Sequence, residues 1–202
     1  MLPPVVRPFV NSHSIPYCPH VYSGPVLVAG SAWCAQDDVE RALFLRPKAP
    51  IITVNRSAGH FKSIFMVTID RELGKGWKQS HMNVFGAPVE LHAGRFGAKK
   101  CAEAYPWVDY FWPDYASGGT SVMLAVKIAL GLGFNEAIVC GAPLECGPYL
   151  DGDNDPVRGW TTRTPVQLES YRKVWKYTKD LHPYVRSMSG WTMDLLGYPD
   201  VK

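Results

Sequence analysis

A glycine- and hydroxyl-rich stretch, Ser117-Gly118-Gly119-Thr120-Ser121, has the residue types best suited to chemistry in this sequence. The apolar segment that follows predicts a helix over about 121–132, so the stretch is expected at a helix start. Unpaired backbone N–H groups and the helix dipole make such a start attractive to phosphate or carboxylate. The pattern therefore favours an anion or nucleotide site. The alternative is an ordinary N-cap with a flexible approach, because Ser and Thr cap helices in general.

Short apolar segments separated by helical patterns predict the elements that position this loop. Strands covered on both faces of a parallel sheet read as continuous apolar runs, and residues 25–30 are the clearest example. The sequence therefore predicts an α/β fold, a three-layer Rossmann-like domain with a mostly parallel sheet and helices on both faces. The G-x-G-x-x-G fingerprint of dinucleotide-binding domains is absent. The expected strands are residues 25–30, 50–55, 64–70, 89–92, 137–140 and 184–186, and a helix weakened by glycines is expected over 71–79.

Small and polar residues stand at the ends of four of these strands. Gly30 and Ser31 follow the first, Asn55 ends the second, Asp70 ends the third, and Gly141 follows the strand at 137–140. Parallel sheets bind ligands outside the carboxyl ends of their strands, so these residues are candidates for a nucleotide site. The alternative is that Gly, Asn and Asp merely favour the turns that end strands.

Length and composition limit the number of domains, the partners and the cellular environment that we expect. The chain of 202 residues is expected to form one domain (1–202) with an irregular N-terminal arm (1–24) and a lid loop (142–163). A net charge of +3 without a long basic cluster does not indicate a nucleic-acid partner. No apolar run is long enough for a membrane span, and the N-terminus lacks the pattern of a secretory signal. Five cysteines without a C-x-x-C pair favour a reducing, cytoplasmic environment. Oligomeric state is not indicated.

Two further segments have more than one interpretation. The aromatic residues between 105 and 115 could stack on a nucleobase or sugar, or pack a helix edge onto the sheet. The acidic segment Asp151-Gly152-Asp153-Asn154-Asp155 resembles a calcium loop, but Pro156 replaces the required glycine and Thr162 the bidentate glutamate. It could instead supply the Asp-x-Asp of a metal-dependent glycosyltransferase. We assign no metal site.

The motifs at the strand ends resemble those of two related families. The segments 26–31, 54–55, 118–131 and 138–141 are similar to bacterial sialyltransferases of the Campylobacter lipooligosaccharide type and to archaeal 6-hydroxymethylpterin diphosphokinases. The resemblance covers about half the chain. It implies that Gly30, Ser31 and Asn55 contact a nucleoside and that residues 117–121 hold phosphates. The sequence departs from the sialyltransferases at Ala142-Pro143, where they carry an acidic residue. It also lacks their catalytic histidine in the lid. Tyr149 could replace a lid tyrosine that holds phosphate in that family.

A resemblance to small proteins of tailed bacteriophages and prophages spans most of the chain. It rests on Trp112-Pro113-Asp114, the turn at 140–144 and the segment at 186–192. This resemblance implies a phage protein in the host cytoplasm and brings no established activity.

These patterns predict a nucleotide-binding transferase, specifically a glycosyltransferase that uses a nucleotide-sugar donor. A general base must deprotonate the acceptor hydroxyl, and Asp70, Asp151, Asp153 and His182 are candidates among which the sequence does not choose. The first alternative is a pyrophosphokinase-like phosphotransferase with Mg²⁺. The second is a nucleotide-sensing or structural phage protein without turnover. No cofactor beyond the nucleotide ligand is assigned.

Overall fold

The fold was obtained as a computed structural model that describes residues 9–10, 22–94, 104–112, 120–150 and 164–200. Within these ranges eight strands form one sheet: β1 (Phe9–Val10), β2 (Pro25–Ala29), β3 (Ile51–Val54), β4 (Phe65–Thr68), β5 (Glu90–Gly94), β6 (Tyr110–Trp112), β7 (Glu136–Cys140) and β8 (Val185–Ser187). The helices are α1 (Ala35–Leu45), α2 (Arg71–Phe85), α3 (Ser121–Gly131), α4 (Pro165–Tyr177) and α5 (Gly190–Leu196), with single 3₁₀ turns at Asn55–Gly59 and His182–Tyr184.

The strand order is β1-β6-β5-β4-β3-β2-β7-β8. Strands β2 to β8 are parallel, and β1 pairs antiparallel with β6. The chain moves outward from β2 to β6 and then returns to place β7 on the other side of β2. This reversal is the topological switch point at which open α/β sheets bind ligands.

Helices cover both faces of the sheet because successive strand residues point to opposite sides. Val26 and Val28 of β2 belong to the core that contains α3 and α4. Leu27 and Ala29 pack with α1 on the other face, where α2 also lies. The predicted three-layer α/β fold with a mostly parallel sheet is confirmed. No helix in the described ranges is both long and apolar enough to cross a membrane.

Helix α2 is longer than its sequence predicts, since it runs to Phe85 rather than ending near residue 79. Gly74 is buried in this helix, and a Cβ there would lie 2.5 Å from Cδ2 of Leu91 in β5. The glycine therefore allows the helix to approach the sheet closely. Gly86, at φ +66°, ends the helix in the left-handed conformation that glycine adopts without strain.

The aromatic segment before α3 packs mainly as part of the sheet. Residues 110–112 form β6, and Trp112 is fully buried with its Nε1–H donating to Nδ1 of His92 at 3.0 Å. Burial lowers the pKa of His92. Trp107 donates its Nε1–H to the Arg71 carbonyl at 2.8 Å. These aromatic residues are therefore packed in the fold, but residues 110–112 form a strand of the sheet and do not pack a helix edge onto it. Tyr115 lies outside the described ranges.

The arm expected to be irregular contains a strand. Phe9 and Val10 pair with Phe111 and Tyr110 of β6, although most of residues 1–24 lie outside the described ranges. Two residues are too few to show the alternation that identifies a strand in a sequence.

Candidate functional site: a cleft at the strand reversal

A cleft with a volume of about 120 Å³ opens at the carboxyl ends of β2, β3, β4 and β7. The structure brings six of the predicted site residues to its walls. They come from four strand ends and the start of α3, and they are Ser31, Asn55, Asp70, Thr120, Ser121 and Gly141.

Gly141, where β7 ends, forms the floor of the cleft, and Gly30, where β2 ends, packs directly against Gly141. The Gly30 N–H donates to the Cys140 carbonyl at 2.7 Å, and a Cβ on Gly30 would overlap the carbonyl oxygen of Gly141. Gly141 has φ +64°, and a Cβ there would overlap the side chain of Ala35. Both positions therefore require glycine for close packing of two backbones, which gives these residues a structural role next to the cleft.

A buried carboxylate holds this floor in place. Asp38 is 0% exposed, and its Oδ2 accepts hydrogen bonds from the Gly141 N–H at 2.9 Å and from Ser189 Oγ at 2.6 Å. Its Oδ1 accepts from Arg41 Nη2 at 2.6 Å. We call these four residues the Asp38 cluster. The charge is paired and hydrogen-bonded, as a buried carboxylate requires, so the cluster fixes the end of β7 against the turn between β8 and α5.

Asn55 and Asp70 face each other across the ends of β3 and β4. Asn55 has φ +58°, a left-handed conformation that asparagine tolerates better than most residues. Its Nδ2 donates to Oδ2 of Asp70 at 3.5 Å, while its Oδ1 is buried without a hydrogen-bond partner in the described part of the chain. A buried acceptor without a partner costs about 1–3 kcal/mol, and an N–H or O–H of a ligand in the cleft would satisfy it.

The two described hydroxyl residues at the start of α3 both make structural contacts. Thr120 is the N-cap, and its Oγ1 accepts from the Met123 N–H at 3.1 Å. Ser121 Oγ accepts from the Ile69 N–H at 3.0 Å and thereby attaches the helix start to the end of β4. The N-cap interpretation is correct for Thr120, and the helix start nevertheless faces the cleft. Ser117, Gly118 and Gly119 lie outside the described ranges.

An arginine and a tyrosine in cation–π contact also line the cleft. The guanidinium carbon of Arg56 lies 4.4 Å from the ring centroid of Tyr149. Among the described residues that line the cleft, Arg56 is the one with a permanent positive charge. Sequence reasoning did not select Arg56, although it directly follows Asn55 and the same strand-end argument applies to it.

Helical spacing accounts for further cleft residues that sequence reasoning missed. Leu73 and Trp77 lie one turn apart on α2, and Gln167 and Tyr171 lie one turn apart on α4. Residues four apart share one face of a helix. Helices α2 and α4 begin at the carboxyl edge of the sheet and therefore add walls to the cleft. The apolar and aromatic residues of these walls are Leu73, Trp77 and Tyr171.

Of the four candidate bases, the structure describes Asp70 and His182, and it does not bring these two together. Asp70 lies in the cleft, and Asp151 and Asp153 lie outside the described ranges. His182 precedes β8 and donates its Nε2–H to the Trp175 carbonyl at 2.9 Å, so it sits at the amino end of the sheet, opposite the cleft. Within the described residues there is no group of three or more His, Cys, Asp or Glu side chains that could hold a metal ion.

The buried thiols near the floor are poor nucleophiles. Burial raises the pKa of Cys34 to about 12 and raises that of Cys140 well above its ordinary range. Both thiols are therefore protonated at neutral pH, whereas the reactive form is the thiolate.

No protein-family model matches this sequence, and a comparison with curated proteins gave no significant match. The resemblances to sialyltransferases, to pterin diphosphokinases and to phage proteins therefore remain hypotheses that rest on their motifs.

Proposed function

We propose that this chain is a nucleotide-binding transferase, a glycosyltransferase that uses a nucleotide-sugar donor. The observation that carries the proposal is the cleft at the strand reversal, which combines Asn55, Asp70 and the start of α3. Ligands of open α/β sheets bind at this position. The walls from α2 and α4 supply the apolar and aromatic contacts that small-molecule sites use.

The positions of the residues in and beside the cleft suggest a role for each group of them. Ser31 and Asn55 contact the nucleoside, with Gly30 packed behind Ser31 as part of the structure, and residues 117–121 at the start of α3 hold the phosphates. Asp70 is the candidate base that lines the described cleft. It takes the proton from the acceptor hydroxyl, whose oxygen bonds to the anomeric carbon of the sugar. The bond between that carbon and the phosphate oxygen breaks, and the nucleotide leaves with the electron pair.

Thermal unfolding with CMP, UDP, GDP, ATP and their sugar conjugates, with and without Mg²⁺, tests this proposal. A nucleotide-sugar should raise the melting temperature, because a ligand at 100 times its Kd stabilises the native state by about 2.7 kcal/mol. The stabilising nucleotide-sugar should then be consumed when acceptor sugars are added.

Other results of the unfolding experiment would favour an alternative function or contradict nucleotide binding. Stabilisation by ATP that requires Mg²⁺ would indicate pyrophosphoryl transfer instead. Binding of a nucleotide-sugar without turnover on any acceptor would indicate a nucleotide sensor. No stabilisation by any of these compounds would contradict every nucleotide-binding function.

A further inference from the structure

The contact between Arg56 and Tyr149 places a positive charge in the cleft at a defined position. The guanidinium carbon lies over the ring, 4.4 Å from its centroid. An arginine carries a fork of N–H donors besides its charge, and this fork matches the oxygens of an oxyanion in a planar, two-point hydrogen bond. The residue type and its position in the cleft therefore suit an anionic ligand.

Backbone contacts fix the position of Tyr149. Its backbone forms a bridge with Ala32, directly after β2. On either side, the Trp33 N–H donates to the Pro148 carbonyl at 3.2 Å, and the Leu150 N–H donates to the Ser31 carbonyl at 2.9 Å. The backbone of Tyr149 is thus attached to the loop that follows the central strand, and its ring lies beside Arg56.

Hydrogen bonds also fix the position of the turn that contains Arg56. Ser57 is fully buried, and its Oγ donates to the Ala29 carbonyl at the end of β2 at 2.7 Å. The same Oγ accepts from the Val54 N–H at 2.9 Å. Arg56 and Tyr149 therefore both depend on the end of β2, and their relative position is set by that strand.

We propose that Arg56 binds the phosphate of the nucleotide and that Tyr149 positions Arg56 through its ring face; this inference rests on the proposed nucleotide-binding function. Asp70, the described carboxylate of the cleft, would repel a phosphate and suits the hydroxyl-bearing part of the ligand. Arginine is favoured for such contacts because its guanidinium matches phosphate in a two-point geometry. The role of Tyr149 differs from that implied by the sialyltransferase resemblance, in which a lid tyrosine itself holds the phosphate.

Calorimetric titration of the protein with each nucleotide and with the matching nucleoside separates the contribution of the phosphate contact. The four pairs are CMP with cytidine, UDP with uridine, GDP with guanosine and ATP with adenosine. Arg56→Gln should weaken nucleotide binding by about 10- to 100-fold, the range expected for a charge-assisted hydrogen bond, and change nucleoside binding by less than about twofold. Arg56→Lys should restore only part of the loss, because an ammonium group lacks the planar fork.

Substitutions of Tyr149 separate its ring from its hydroxyl. Tyr149→Leu should weaken nucleotide binding by about 3- to 10-fold through loss of the cation–π contact. Tyr149→Phe keeps the aromatic face and should restore binding to within about twofold of the native protein. Lys48→Gln is the matched control, because it removes one positive charge from an exposed side chain beyond the amino end of the sheet. It should leave all affinities unchanged.

Three results would overturn the inference. Equal nucleotide affinity of Arg56→Gln and the native protein would exclude Arg56 as the phosphate contact while leaving the proposed function intact. A loss in Tyr149→Phe as large as that in Tyr149→Leu would show that the hydroxyl, not the ring face, is responsible. If the native protein bound none of the eight compounds, the proposed function would fail together with this inference.

Discussion

Asp38 and Asp70 both lie at the carboxyl edge of the sheet, but their surroundings are different. Asp38 is 0% exposed and is surrounded by donors from Gly141, Ser189 and Arg41. Asp70 lines the cleft, where the amide of Asn55 lies 3.5 Å away. One carboxylate therefore holds three chain segments together, while the other faces the space that a ligand would occupy. Acidic residues at the same edge of a sheet can thus either stabilise the fold or take part in catalysis. The accessibility of the side chain to solvent distinguishes the two roles.

The largest expected effect is the loss of the buried carboxylate. Asp38→Ala removes the charged acceptor of the Gly141 N–H and of Ser189 Oγ, at about 1.5–3 kcal/mol for each hydrogen bond, or about 3–6 kcal/mol together. The Arg41 side chain is 52% exposed and can be hydrated instead. The free energy of unfolding, measured by urea denaturation, should fall by about 3–6 kcal/mol. The matched control is Asp37→Ala, because Asp37 is the exposed neighbour on the same helix. Equal destabilisation by both substitutions would show that the Asp38 cluster does not hold the floor of the cleft.

A smaller effect is expected at Gly141, the glycine of the cluster whose N–H donates to Asp38. Gly141 and Gly86 have nearly the same φ, +64° and +66°, but a Cβ on Gly86 would meet nothing within 4 Å. Gly86→Ala should cost about 1–2 kcal/mol for the left-handed backbone alone. Gly141→Ala should cost about 1–3 kcal/mol more, because the new methyl group overpacks against Ala35. Equal melting temperatures of the two variants would indicate that the floor relaxes around an added methyl group.

The smallest effect on stability is expected in the cleft itself. Asp70→Asn should change the free energy of unfolding by less than about 0.5 kcal/mol, as is usual for a side chain outside the core. It should nevertheless lower the rate of sugar transfer by about 10²- to 10⁴-fold, the contribution of a general base. Glu72→Gln removes an exposed carboxylate two residues away and should affect neither quantity. Destabilisation by Asp70→Asn comparable to that by Asp38→Ala would remove the distinction between the two carboxylates.

The sequence allows the sheet and much of the cleft to be predicted, because both follow from local patterns. The apolar run at 25–30 identifies the central strand, and the strand-end rule places Asn55 and Asp70 beside each other. The same rule places His182 at the amino end, because it precedes its strand. Strand β6 was missed since three aromatic residues show no periodicity, and its partners come from distant parts of the chain.

The burial of Asp38 could not be predicted from the sequence. An acidic residue in the first turn of α1 is well explained by the helix dipole alone. Its acceptor role depends on Ser189, which is 151 residues away in the chain. The cation–π contact of Arg56 with Tyr149 depends in the same way on a bridge between two loops.

The pairing of β2 with β7 has a consequence for how the protein reaches its native state. The hydrogen bond between Asp38 and Gly141 joins residues 103 positions apart, at the centre of the sheet rather than at its edge. A contact of this separation carries a large loop-closure entropy cost before it contributes to stability, which slows folding. During synthesis the side of β2 that pairs with β7 therefore stays unpaired until β7 has left the ribosome, and an unpaired strand edge is a site of misassembly.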